Sequence, residues 1–150
     1  MKKKYILSLI VIVGIVLLIV SLLPSDEDIG PNEWLEGTEV SFGIEFPKAE
    51  KLEYSNSNRS GIHGDGYDYC IVKYNKANTV VKKFNWKRIS TDEAEYINER
   101  LDDLNVEQKY RPNCKGTSIY VKNGQSEFEQ LFVIYNPEKP NNLYVLEVYI

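Results

Sequence analysis

The chain has 150 residues, 43% of them hydrophobic and 27% charged, with 18 basic and 22 acidic groups. That length can bury a core without metals or cross-links. Setting aside Lys2, Lys3 and Lys4, 15 of the 18 basic groups stand against 22 acidic ones, a balance near −7. Such a chain is poorly suited to gripping DNA, RNA or an anionic membrane surface.

Residues 5–23 form an uncharged apolar run of 19 residues. As a helix it reaches about 28 Å, close to the hydrocarbon thickness of a bilayer. In lipid the cost of unsatisfied peptide groups forces the helix despite many β-branched residues. Three lysines precede the run, and Asp26, Glu27 and Asp28 follow it. Lysine excess marks the cytoplasmic side, so residues 1–25 read as an N-terminal membrane anchor partnered by the bilayer, with the remainder outside. A cleaved signal peptide, and hence a secreted form, is the alternative. Against it, the run exceeds the usual apolar length and no small-x-small site follows.

Residues 26–37 read as a linker, rich in Pro, Gly, Asn and acids, interrupted by Trp34 and Leu35. From Thr38 the period becomes two. Val40, Phe42, Ile44 and Phe46 alternate with Ser41, Gly43 and Glu45, predicting a half-buried strand stopped by Pro47. Residues 49–55 predict a second strand. Residues 56–66 predict a polar loop, and 67–74 a central strand with branched and aromatic side chains on both faces. Residues 80–86 read as a short strand or an irregular crossing. The pairs Lys82-Lys83 and Lys87-Arg88, around Phe84 and Trp86, read as a solvated strand face rather than a nucleic-acid surface.

One helix is signalled over residues 91–104. Ser90 and Glu93 form a capping box, and Ala94, Ile97, Leu101 and Leu104 make one apolar stripe. Residues 118–122 and 127–135 predict a hairpin in which Asn123-Gly124 favours a type I′ turn. Pro137 and Pro140 mark another turn before a last strand over 143–150. The expectation is an α+β domain over residues 38–150: a mainly antiparallel sheet with one helix on a face, preceded by a single transmembrane helix.

Chemistry is sparse. The chain has one histidine, His63, in a glycine-rich loop with Asp65, so no Ser or Cys nucleophile has a local base. His63, Cys70 and Cys114 offer three metal ligands at most, without paired spacing, and the calcium-loop pattern is absent. No catalytic residue, metal or cofactor is assigned. His63, Asp65 and Asp68, with Tyr67 and Tyr69 beside them, are the candidate binding residues. Cys70 and Cys114 can form a disulfide outside the cytoplasm, worth about 4 kcal/mol for so long a loop. The alternative is two separate buried thiols. The eleven tyrosines are a further resource. Tyrosine serves interfaces well, and an open sheet face opposite the helix would carry the best partner surface.

The segment Ser60-Gly61-Ile62-His63-Gly64-Asp65-Gly66, the hydrophobic strand after it, and Trp86 about twenty residues on resemble an uncharacterised family of small membrane-anchored proteins from Gram-positive bacteria. Members often follow the tryptophan with Leu-Pro, which Trp86-Lys87-Arg88-Ile89-Ser90 lacks. The resemblance implies a specific His-Gly-Asp-Gly loop and carries no activity. The expected function is a membrane-tethered extracytoplasmic domain that binds an envelope or protein partner or is structural. The alternative is a cell-envelope enzyme or metal-dependent module centred on His63, Asp65 and Asp68.

Overall fold

The computed structural model describes residues 30–60, 64–76, 78–126 and 128–150. The expected membrane helix over 5–23 and the candidate residue His63 lie outside these. Among the described residues no helix is long and apolar enough to cross a membrane.

The domain is α+β, built on one six-stranded antiparallel sheet. Its strands are β1 (Lys51–Ser57), β2 (Gly66–Lys73), β3 (Lys87–Arg88), β4 (Ser118–Asn123), β5 (Glu129–Tyr135) and β6 (Asn142–Tyr149). Their order across the sheet is β1-β2-β6-β5-β4-β3. The chain leaves the middle of the sheet after β2, crosses to the far edge, and returns strand by strand until β6 zips against β2 from Asn142↔Lys73 to Tyr149↔Gly66. The helices are α1 (Pro31–Phe42), a single turn α2 (Asn78–Val81) and α3 (Thr91–Asp103).

α3 forms as its sequence predicts. Ser90 Oγ accepts from Glu93 N–H, and the Glu93 carboxylate accepts from Ser90 N–H. Ile97 and Leu101 are fully buried against Ile71, Ile134, Leu146 and Val148.

The other helix overturns two expectations. Residues 31–37, read as linker, and 38–42, read as strand, form α1. Gly30-Pro31 starts it, since proline at the first helical position loses no needed N–H. Gly43 ends it in the left-handed region at φ 59°, its N–H donating to Glu39 O. The apolar alternation at 40, 42, 44 and 46 is not the period that is used. Leu35, Thr38 and Phe42 are buried at helical spacing, while Val40 is 74% exposed. α1 closes the second face of the sheet over Cys70, Val72, Val133, Val145 and Leu143. Two helices therefore sandwich the sheet, one on each face, where the sequence predicted one. β6 is consequently buried along both faces rather than on one.

Of the two forms expected for residues 80–86, the irregular crossing is found rather than the strand: they are the end of α2 and a loop that tucks Val80 and Phe84 under the α1 side. The β4–β5 hairpin exists, but its connection spans 124–128, and neither Asn123 nor Gly124 has the positive φ that a type I′ turn requires. Glycine is needed at 124 for another reason: a Cβ there would overlap the Glu129 side chain.

Candidate functional site

The sheet has two unlike ends. At one end Asn32 pins the start of α1 to the chain entering β1, its Oδ1 accepting from Ala49 N–H at 2.9 Å and its Nδ2 donating to Ala49 O at 3.3 Å. Tyr74 and Asn75 lie beside the same corner. Any segment preceding Gly30 joins here. β2 runs eight residues away from this corner, roughly 25 Å, to Gly66. At that far end sit the glycine-rich loop, the β4–β5 connection and Ile150.

The far end carries a polar cluster on the α1 face. Asp68 on β2 and Glu147 on β6 are directly opposite in register and share that face. Glu147 is only 4% exposed. Thr38 of α1 donates to its Oε1 at 2.6 Å, and the Tyr149 hydroxyl donates to its Oε2. Burial pushes the Glu147 carboxyl above the ordinary carboxylate range, helped by Asp68, while the two hydroxyl donors and Arg59 pull the other way. Burial and the adjoining carboxylate likewise raise the Tyr149 phenol.

Arg59 organises the loop. Its Nε donates to Gly64 O at 2.9 Å, its Nη1 pairs with Asp68 Oδ2 at 3.2 Å, and its guanidinium lies 3.7 Å from the centre of the Tyr149 ring. Asn58 clamps the turn, accepting from Tyr67 N–H at 2.8 Å. Gly66 and Arg59 approach so closely that a Cβ on Gly66 would lie 2.9 Å from Arg59 Cα.

The predicted residues are dispersed. Asp68 joins the cluster with its charge engaged by Arg59. Asp65 is exposed, held by the backbone bridge to Ser60. Tyr67 is half-buried on the opposite face, near Arg100 and Tyr96. Tyr69 is fully buried there, and its hydroxyl donates to Tyr110 O at 2.6 Å, so it is a core residue rather than a contact surface. Arg59, Thr38, Glu147 and Tyr149 were missed. An alternation that placed glutamate inside an otherwise apolar final strand was the one available signal.

Of the two readings left open for the cysteines, the structure has the separate thiols: Cys70 and Cys114 are both free. Cys70 is fully buried on the α1 face. The loop carrying Cys114 is tied to the α3 side, where Arg111 donates to Val106 O at 2.8 Å and Leu101 O at 3.3 Å. Burial raises both thiols above the ordinary cysteine value. Among the described residues no group of three His, Cys, Asp or Glu side chains is arranged to hold a metal ion.

The tyrosines do not form an open patch, because α1 covers much of that face. Tyr120 and Tyr135 instead join Phe46, Phe84 and Trp86 in a chain of rings 5.1–5.7 Å apart near the β3–β4 edge. Comparison with protein-family models, curated proteins and solved structures gave no match.

Proposed function

We propose that this protein is a membrane-tethered extracytoplasmic domain that binds a macromolecular partner of the cell envelope. The observation that supports this most is the polarity of the domain. The chain enters at the Asn32–Ala49 corner, whereas the Arg59 loop and the exposed Phe128 and Ile150 lie at the opposite end. A tether at residues 5–23 would hold the first end toward the bilayer and present the second outward. The alternative, an enzyme or metal module around His63, Asp65 and Asp68, is weakened by the pairing of Asp68 with Arg59.

Photo-crosslinkers replacing Gln125 or Lys76, both exposed, would test the reading in the full chain within native envelopes. An adduct from Gln125 and none from Lys76 is expected. Equal labelling from both positions, or no adduct together with turnover of a cell-wall substrate by the purified chain, would overturn it. Location is checked separately: Ser25→Cys should add a site reactive to an impermeant thiol reagent on intact cells.

A further inference from the structure

The far edge of the sheet is half covered. β3 meets β4 at two positions, Lys87↔Ile119 and Arg88↔Ser118, while β4 runs on to Asn123. Successive strand residues point their backbone polar groups to alternate sides. Ile89 N–H donates to Thr117 O on the β3 side, and Gly124 N–H donates to Glu129 O on the β5 side. Ile119, Val121 and Asn123 therefore turn theirs toward the β3 side, and β3 reaches the first alone. Among the described residues no hydrogen bond reaches the outward N–H or C=O of Val121 or Asn123.

Two concavities meet at this open stretch. One of about 320 Å³ wraps the edge, lined by Asn85, Trp86, Lys87, Ile119, Tyr120 and Val121. The other, about 260 Å³, lies on the α3 face between Asp92, Glu93, Tyr96, Val121, Gln130 and Phe132. Val121 is common to both. The open stretch lies in the half of the sheet remote from Gly30, since Asn123 pairs with Gln130 and Gln130 with Val148.

We propose that the edge at residues 121–123 accepts an extended peptide strand from a protein partner, antiparallel to β4, with an acidic residue opposite Lys122 followed by an apolar one opposite Val121. Main-chain hydrogen bonds to Val121 and Asn123 supply the pairing, and alternate side chains are read on the two faces. Lys122 shares the α1 face with its partner Leu131 and makes no ion pair among the described residues. An acidic side chain opposite it gains a cross-strand charge pair. The apolar residue after it points to the α3 face, against Val121, Tyr96 and Phe132.

A second copy of the chain is the wrong occupant. The antiparallel register that keeps both copies clear of β3 pairs Val121 with Asn123 and sets Lys122 directly against its own copy. Like charges in that position are destabilising, a recognised guard on free edges.

The proposal deepens the binding reading above and rests on it. Its test uses the full chain in detergent micelles and a labelled, capped pentapeptide threonine-valine-glutamate-leucine-threonine, compared with the same peptide carrying lysine for glutamate. The glutamate peptide should bind in preference, and the amides of Val121 and Asn123 should exchange at least about tenfold more slowly on binding. Lys122→Glu should reverse the preference by roughly fivefold. Val121→Pro removes an outward N–H without breaking a bond to β5, and should abolish binding. If Val121→Pro does not fold, the Lys122→Glu reversal carries the test. No saturable binding at millimolar peptide, no reversal, or protection that rises with protein concentration alone would overturn the proposal. Retention of the Gln125 adduct in Val121→Pro would overturn the edge while leaving the binding reading intact.

Discussion

Asp68 and Glu147 face each other across β2 and β6 on the same side of the sheet, two carboxylates in register beneath α1. Like charges so placed repel. The structure resolves this by giving each its own partners: Arg59 takes Asp68, while Thr38 and Tyr149 donate to Glu147.

This arrangement makes stability depend on pH through Glu147. Its burial raises the folded-state value, so the fold favours the protonated carboxyl. That contribution is complete below the ordinary glutamate value and is lost as pH rises through the raised one. Glu147→Gln keeps a neutral group of similar shape between Thr38 and Tyr149. Denaturant unfolding of both chains should show the parent losing stability relative to Glu147→Gln from about pH 4 upward. A difference that stays flat across that range would remove Glu147 as the titrating group.

Two of the glycines with positive φ, Gly43 and Gly66, should respond differently. Gly43→Ala strains the backbone at φ 59° but meets nothing within 4 Å, so a loss of about 1–2 kcal/mol is expected. Gly66→Ala combines φ 136° with overlap onto the Arg59 backbone and Asn58 Oδ1. It should cost more than Gly43→Ala, and the Arg59–Tyr149 contact should loosen. Equal unfolding midpoints for the two variants would contradict the tight turn.

The α3 side offers a direct test of packing. Leu101 is fully buried, and Leu101→Ala should destabilise by about 2–5 kcal/mol. Ser90→Ala removes the acceptor for Glu93 N–H and should cost about 1 kcal/mol. It should also move the Glu93 carboxyl upward toward its ordinary value, because Glu93 is held low by the Lys87 hydrogen bond together with those from Ser90. Carboxyl titration followed by NMR reads the second effect.

The thiols should be separate and unequal. Intact mass of the native chain after alkylation without reductant should show both cysteines modified once the chain is unfolded. In the folded chain the half-buried Cys114 should react well before the fully buried Cys70. Two mass units missing until reduction would instead establish a bond.

Features that rest on neighbours along the chain were legible in the order of residues. Ser90 and Glu93 define the start of α3, and the spacing of Ile97 and Leu101 defines its buried face, because capping and amphipathicity act within a few residues. The antiparallel sheet and the approximate places of β1, β2, β4, β5 and β6 were legible for the same reason. The residues around Phe42 carry two periods at once, 40-42-44-46 and 35-38-42, and the flanking Pro31 and Gly43 favoured the second. The tertiary structure decided between them, since a six-stranded sheet with two apolar faces must cover both. That covering helix then buried Glu147 against Thr38 and placed Cys70 on the face away from the Cys114 loop. Neither relationship exists until distant parts of the chain pack together, Thr38 and Glu147 being 109 residues apart. The open edge of β4 has the same origin, because a strand's free hydrogen-bonding side is set by how far its neighbour runs, and β3 stops after Arg88.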